Sequence, residues 1–325
     1  MAFVHVTGNP EPAGGEELWL EGRGGVKLRA LLAPALNQSG VGTARGSVIL
    51  FTGRTEFIEK YFEVITELQQ RGFAVFTMDW RGQGLSGREQ KNPLKGHLAT
   101  FDDPVADLYA AMRMYGDRLP KPHIVLAHSM GGCIALRAMQ TNRVVADGAV
   151  FSAPMWGIAN VKGFAEDFTR FMTASGMGGM FAPGVETKWS KQSFKKNALT
   201  HDKERYARAQ GLVSEQNELA LAGPTLGWVT AALDAIDTFQ APGALNHLRM
   251  PVMVMSAGEE SLVDNSSHAE IATLLPNARH IMIDGARHEI MMETDNIRAQ
   301  FWAAFDTVAD AVAPKTGVSS ATANA

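Results

Sequence analysis

The run Ser47–Thr52 reads Ser-Val-Ile-Leu-Phe-Thr, with four consecutive apolar residues and no alternation of faces. A strand of this kind is at home where both faces are covered, which is the environment of a parallel sheet between helical layers. The pattern recurs at Phe73–Asp79, His123–His128, Gly148–Ser152, Pro251–Ser256 and His280–Ile283. Between these runs lie stretches of helical spacing. They are Ile58–Arg71, Pro104–Tyr115 with Val105, Leu108, Ala111 and Met112 on one face, Met130–Gln140, Ser266–Leu275 and Glu293–Val312. Leu18–Glu21 and Val26–Leu32 read as a hairpin turning at Gly22–Gly25. Strands and helices alternating through short connections predict an α/β fold, with a mostly parallel central sheet flanked by helices.

The alternation stops over residues 153–244, which read as helical and irregular without a strand. The simplest organisation is a core made of 1–152 and 245–314, interrupted by a helical cap at 153–244. Residues 1–15 read as a loose arm and 315–325 as a disordered tail, since both lack a hydrophobic pattern. No internal repeat of fixed period is visible.

Composition excludes several classes. Of 325 residues, 46% are hydrophobic and 20% charged, enough for a core that needs neither disulfide nor metal. The net charge of −4 argues against nucleic acid as a main partner. The single cysteine, Cys133, allows no intramolecular disulfide and reads as a small buried residue. The first residues lack the charged and apolar regions of a signal peptide, and no window has the length of a membrane span, so the expected location is cytoplasmic. No metal or cofactor motif is present. Gly82–Gly87 matches G-x-G-x-x-G, but the polar turn Arg88–Pro93 follows where a dinucleotide site needs a helix. Those glycines are read as shaping a core loop.

The segment Ile124–Gly132 (Ile-Val-Leu-Ala-His-Ser-Met-Gly-Gly) is a buried strand, a tight turn at Ser129 and a helix start. This is the setting of a nucleophile elbow, in which small residues flank the serine because strand and helix backbones come close. Gly131 fills one small position, and Ala127 stands where glycine is usual. The bland alternative is a serine that only caps a helix. A serine nucleophile needs a base, and His288 lies on the loop after the last strand, in Asp284-Gly-Ala-Arg-His-Glu. His128 reads as a wedged structural ring, His97 as pocket or loop structure, and His201 and His268 lie in polar or helical surroundings. The acid that orients the base is expected after the strand that follows the cap, where Glu259, Glu260 and Asp264 compete and Glu260 is favoured. The losing carboxylates are read as helix caps or first-turn charges. Two backbone donors should face the developing oxyanion: the N–H of Met130, and an N–H from Thr52-Gly-Arg-Thr-Glu, assigned to Arg54.

Several segments together resemble the bacterial lysophospholipase and monoacylglycerol lipase group of α/β-hydrolases. They are Thr52-Gly-Arg-Thr-Glu, Asp79-Trp-Arg-Gly-Gln-Gly-Leu-Ser-Gly-Arg88, Ala127-His-Ser-Met-Gly-Gly132 and Gly285-Ala-Arg-His-Glu289. The likeness continues into the cap at Leu199–Tyr206 and Gly223–Val229. It implies the α/β-hydrolase fold, catalytic Ser129 and His288, Glu260 as acid, and Arg54 and Met130 as oxyanion donors. It also implies hydrolysis of carboxylic esters of monoacyl lipids through an acyl-enzyme, without a cofactor. Relatives often carry histidine where Thr52 stands. The rival readings are a short-chain carboxylesterase, a peptidase or amide hydrolase, and a non-catalytic binding relative.

Phe164, Phe168, Phe171 and Met172 share one helical face, so they either pack the cap on the core or wall an acyl pocket, with Met177 and Met180 as adaptable lining. Residues 186–208 carry Lys188, Lys191, Lys195, Lys196, Lys203, Arg205 and Arg208 against Glu186, Asp202 and Glu204. They form either a solvated face or a contact with anionic lipid headgroups.

Overall fold

A computed structural model describes residues 3–315, apart from 38, 39, 42, 43 and 160. The strands are β1 (Glu16–Glu21), β2 (Lys27–Ala33), β3 (Leu36–Asn37), β4 (Gly40–Val41), β5 (Gly46–Phe51), β6 (Phe73–Met78), β7 (His123–His128), β8 (Gly148–Ser152), β9 (Val252–Ala257) and β10 (Ala278–Ile283). The helices are α1 (Phe62–Gln70), α2 (Asp102–Tyr115), α3 (Met130–Gln140), α4 (Phe164–Met172), α5 (Lys203–Glu215), α6 (Leu226–Phe239), α7 (Asn265–Leu274) and α8 (Asp295–Val312). One sheet runs in the order β1-β2-β6-β5-β7-β8-β9-β10. β1 and β2 pair antiparallel with each other, as β2 does with β6, and the remaining pairs of this sheet are parallel; β3 and β4 form a separate antiparallel pair.

The apolar runs are continuous because successive side chains enter two different cores. Ile49 and Phe51, Val125 and Ala127, and Val252 and Val254 face the layer holding α2, α3, α6 and α7. Val48 and Leu50, Ile124 and Leu126, and Met253 and Met255 face α1 and α8 through Phe62, Ile65, Phe301 and Phe305. Each large apolar side chain buried this way contributes roughly 1.5–3 kcal/mol.

The stretch 153–244 contains α4, α5 and α6, and among its described residues β-structure is confined to isolated bridges at Ile158–Val263 and Phe181–Thr225. α6 is no detached lid element. Trp228, Leu233, Ile236 and Phe239 join the same apolar cluster as α3, and Gln140 on α3 donates to the Thr238 carbonyl at 2.8 Å. α5 is tied to the core by charge. Arg205 meets Glu63 of α1 at 2.6 Å and Asp295 of α8 at 2.7 Å, and Arg208 also pairs with Glu63.

The helical stretch expected over Ile58–Arg71 opens as a 3₁₀ turn over Ile58–Tyr61 and runs directly into α1. One expectation needs correcting. The first residues are not a loose arm. Phe3 and Val4 are buried, Phe3 lies edge-on to Phe62 at 5.3 Å, and the Val4 N–H donates to Glu59. Average composition missed this because two apolar side chains suffice to anchor so short a segment. Residues 316–325 of the expected tail lie outside the described residues.

A buried ion cluster locks β2 to the loop after β6. Arg29 reaches Glu59 with both terminal nitrogens (2.7 and 2.8 Å) and Asp79 through Nε (2.8 Å), and all three side chains are buried. Asp79 also accepts the N–H groups of Ile58 (2.9 Å) and Leu85 (2.8 Å). The chain curls so tightly around this carboxylate that a Cβ on Gly84, at φ 56°, would lie 2.1 Å from Asp79 Cγ. The Gly82–Gly87 motif therefore serves the loop. We expect Arg29→Met to strand two buried carboxylates and lower the urea unfolding free energy by about 3–5 kcal/mol; a loss below about 1 kcal/mol would show that the cluster contributes little.

Candidate active site

Ser129 sits between β7 and α3 with φ 50° and ψ −122°, a backbone region that costs a non-glycine residue about 1–3 kcal/mol. Surrounding bonds hold it there. Its N–H donates to the Ser152 carbonyl at 3.2 Å, and its carbonyl accepts the N–H groups of Gly132 and Met155, both at 2.8 Å. The turn is possible only because α3 approaches β5 without a side chain between them. A Cβ on Gly131 would lie 2.5 Å from the carbonyl oxygens of both Phe51 and Thr52. Ala127, where glycine is usual, is fully buried in the apolar core.

The loop after β10 brings His288 Nε2 to 2.9 Å from Ser129 Oγ. The loop after β9 brings Glu260 Oε2 to 2.7 Å from His288 Nδ1. With Nδ1–H donating to the carboxylate, Nε2 is left to accept from the serine hydroxyl, the orientation a general base requires. Burial alone would raise the Glu260 pKa. The hydrogen bond and charge of His288, with the Leu262 and Val263 amides, outweigh it and hold the carboxyl down at about 2. Its other oxygen accepts the N–H of Ser261 at 2.8 Å and of Leu262 at 2.7 Å.

The competing carboxylates point elsewhere. Asp264 caps α7 through the Ser266 N–H (3.0 Å) and pairs with Lys162, while Glu259 meets His201 Nε2 at 3.2 Å. Among the other histidines, His268 bridges Ser256 and the Pro154 carbonyl, and His97 bonds Thr225, the N-cap of α6. His128 donates from Nδ1 to the Ser152 carbonyl at 2.9 Å, and burial pushes its pKa down to about 4. It stays neutral beside His288, whose ring centre is 4.8 Å away.

The loop 52–56 is held by residues that the sequence did not single out. The Gly53 N–H is taken by Glu56, the Thr55 N–H by Gln83 Oε1 (3.3 Å), and the Gly53 carbonyl by Gln83 Nε2 (2.8 Å). The Arg54 N–H lies between these two engaged amides. Met130 opens α3, so its N–H has no partner within the helix. Trp80 donates to the Thr52 carbonyl at 2.9 Å. Trp80 and Gln83 belong to the loop built around Asp79, so the glycine-rich motif buttresses the loop carrying Arg54. Beneath it, Lys60 bridges Glu56 (2.8 Å) and Glu289 (2.5 Å), and Tyr61 donates to Glu56 at 2.7 Å. This buried chain links the Arg54 loop to the residue after His288. No local pattern announces it, because its members meet only in the fold. The Thr52 hydroxyl, also buried, finds no partner among the described residues.

Ser129 and His288 open into a cavity of 230 Å³ lined by Met155, Ile158, Leu199, Pro224, Trp228, Leu262 and Val263. It adjoins a second cavity of 480 Å³, and Arg54, Leu199, Pro224, Leu262 and Glu289 belong to both. Phe164, Phe168, Phe171 and Met172 line neither. Phe164 is 84% and Phe171 67% exposed, and the Phe168 ring stacks on Phe164. Spacing placed them on one helical face but could not say what that face meets. Arg170 turns the other side of α4 toward Asp234 and Asp237 of α6, leaving the aromatic side outward. Met177 and Met180 are likewise outside both cavities.

A family profile described as "Serine aminopeptidase, S33" matches residues 42–295. The chain is 32% identical over 269 residues to lysophospholipase L2 of Escherichia coli (strain K12), covering 78% of this chain and 76% of that protein. A soluble variant of monoglyceride lipase from Saccharomyces cerevisiae, in complex with a substrate analogue, matches with a TM-score of 0.70 at 19% identity, covering 91% of this chain and 96% of that one. A thermostable carboxyl esterase from Bacillus coagulans, in complex with glycerol, gives 0.70 at 15% identity over 92% and 98%. The two structural likenesses speak for the fold.

Glu260 makes a pH-dependent contribution of definite sign. Its carboxyl titrates lower in the folded chain, near 2, than its ordinary value of 4.5. The ionised form therefore stabilises the fold above the unfolded pKa, and that stability disappears as pH falls toward 2. We expect wild type to exceed Glu260→Gln in unfolding free energy by roughly 3 kcal/mol at neutral pH, the gap closing below about pH 4. Denaturant titrations across that range would show it, and a gap independent of pH would overturn it.

Proposed function

The chain belongs to the serine hydrolase family described as serine aminopeptidase S33, within the lysophospholipase and monoacylglycerol lipase group of α/β-hydrolases, and on that premise we propose that it hydrolyses carboxylic esters of monoacyl lipids through an acyl-enzyme on Ser129. The observation that carries this reading is the unbroken line Ser129 Oγ, His288 Nε2, His288 Nδ1, Glu260 Oε2 at 2.9 and 2.7 Å.

Ser129 attacks the ester carbonyl as His288 takes its proton. The carbonyl oxygen becomes anionic against the N–H groups of Met130 and Arg54, and each such donor is worth about 3 kcal/mol in the transition state. The ionised Glu260 stabilises the imidazolium, which then protonates the leaving alcohol. Water, deprotonated by His288, attacks the acyl-enzyme, and the serine regains its proton as the fatty acid departs. The apolar wall of Met155, Ile158, Trp228 and Val263 supports an acyl chain beside the serine. A short-chain carboxylesterase would use the same three residues, and a peptidase would cleave aminoacyl anilides.

The cap also supports contact with an anionic lipid surface. Arg205 and Arg208 are committed to Glu63, but Lys188, Lys191, Lys195, Lys196 and Lys203 are exposed. None of these five makes an ion pair among the described residues. No described helix is long and apolar enough to cross a membrane.

Two measurements test these readings. Fluorophosphonate labelling should be strong in wild type and absent in Ser129→Ala, whose hydrolysis of a long-chain monoacyl ester should fall by roughly 10⁴-fold or more. Retained activity in the variant, or preference for acetyl over long-chain p-nitrophenyl esters in wild type, would overturn the lipid reading. Binding to vesicles containing anionic lipid should weaken as salt is raised toward about 0.5 M; salt-independent binding would remove the lysines from the account.

A further inference from the structure

The Arg54 side chain has a separate use from its backbone. It lies where the two cavities meet and lines both. One terminal nitrogen donates to the Ala222 carbonyl at 2.8 Å, and the guanidinium lies over the Trp228 ring at 5.3 Å. Its Nε is shielded from solvent and has no acceptor among the described residues. No carboxylate pairs with it, again among the described residues. Burial, with no acidic neighbour to offset it, pushes the guanidinium down to about 10. Arg88 also lacks a carboxylate partner among the described residues, but it binds the Gly84 and Glu218 carbonyls and lines neither cavity. Arg29, Lys60 and Arg81 each meet at least one buried carboxylate within 3 Å. A cation left without its counter-charge in a shielded place is costly, so a site that keeps one gains when an anion arrives.

The identity of that anion follows from position. The Arg54 N–H faces the reacting carbonyl in the proposed mechanism, while its guanidinium stands a side chain's length further along. In a lysophospholipid the glycerol carbons separate ester and phosphate by a comparable span. Guanidinium matches a phosphate group in both charge and geometry. Lys188 stands exposed on the lining of the outer cavity, where Gln192 and Gln210 add polar groups suited to a headgroup. We propose that the Arg54 side chain is a phosphate subsite, which makes the chain selective for monoacyl lipids whose leaving alcohol carries a phosphate over neutral monoacylglycerols. This rests on the reading of the chain as a monoacyl lipid hydrolase.

The test compares 1-oleoylglycerol 3-phosphate with 1-oleoylglycerol, both dispersed in the same neutral detergent micelles so that the exposed lysines meet one surface. The readout is the ratio of their kcat/KM values. Arg54→Met keeps the backbone N–H and removes the cation, and we expect the ratio to fall about 10- to 100-fold, with Arg54→Lys recovering part of it. An equal loss on both substrates, or an unchanged ratio, overturns the proposal. If Arg54→Met does not fold, wild type decides alone. Glycerol 3-phosphate should compete with a neutral ester far better than glycerol or inorganic phosphate does. Equal inhibition by glycerol 3-phosphate and glycerol removes the phosphate subsite, and stronger inhibition by inorganic phosphate reassigns it to a free anion. Wild type inactive on every monoacyl ester would defeat the hydrolase reading itself, whereas activity on both substrates with no dependence on Arg54 defeats only this inference.

Discussion

The site depends on one place where no atom can stand. At Gly131 the first turn of α3 presses against the Phe51 and Thr52 carbonyls, leaving no room for a Cβ. That contact fixes the distance between helix and sheet, and the distance forces Ser129 into its strained turn. The strain is held by three backbone bonds, those of Ser129, Gly132 and Met155, so the serine cannot relax without unpacking β8. The same contact sets the start of α3, which Met130 opens, against the end of β5 and the loop that carries Arg54. Packing thus holds the serine and the loop after β5 in one fixed relation.

Around this point the molecule stabilises its loops with buried, paired charge. Arg29 with Glu59 and Asp79 shapes the loop that supplies Trp80 and Gln83. Lys60 with Glu56 and Glu289 spans the loop of Arg54 and the loop of His288. Buried ion pairs add little net stability compared with apolar packing, but they are unforgiving of misplacement. That is the property a catalytic loop needs, since a shift of an ångström there degrades proton transfer and charge stabilisation together.

Much of this was legible in the sequence, because the relevant signals are local. The continuous apolar runs reported strands covered on both faces, and the strand-turn-helix at Ser129 reported an elbow. Glu260 could be favoured but not separated from its neighbours on residues alone, since only the fold shows Asp264 capping α7 and Glu259 turned to His201. What stayed hidden is what depends on distant segments meeting. Phe164, Phe168 and Phe171 carried the right periodicity for a buried face, yet periodicity is blind to whether anything covers that face. Phe3 and Val4 looked like part of a polar arm, though a groove beside Phe62 and Glu59 was waiting for them. The glycine-rich run after β6 resembled a phosphate loop in letters and turned out to be wound around a carboxylate.

The anchoring of α5 and α6 governs how molecules reach the serine. α6 is built into the same apolar mass as the sheet, and α5 is pinned to α1 and α8 through Arg205. A roof fastened at both beams does not hinge as a whole. The stretch between α4 and α5 supplies Val185, Lys188, Trp189 and Gln192 as one wall of the outer chamber. Product departure is often the slow step in enzymes with covered sites. With α5 and α6 fixed to the core, the breadth of the outer chamber is governed by this one connecting segment, so its side chains can change what enters while the packing around the serine stays as it is.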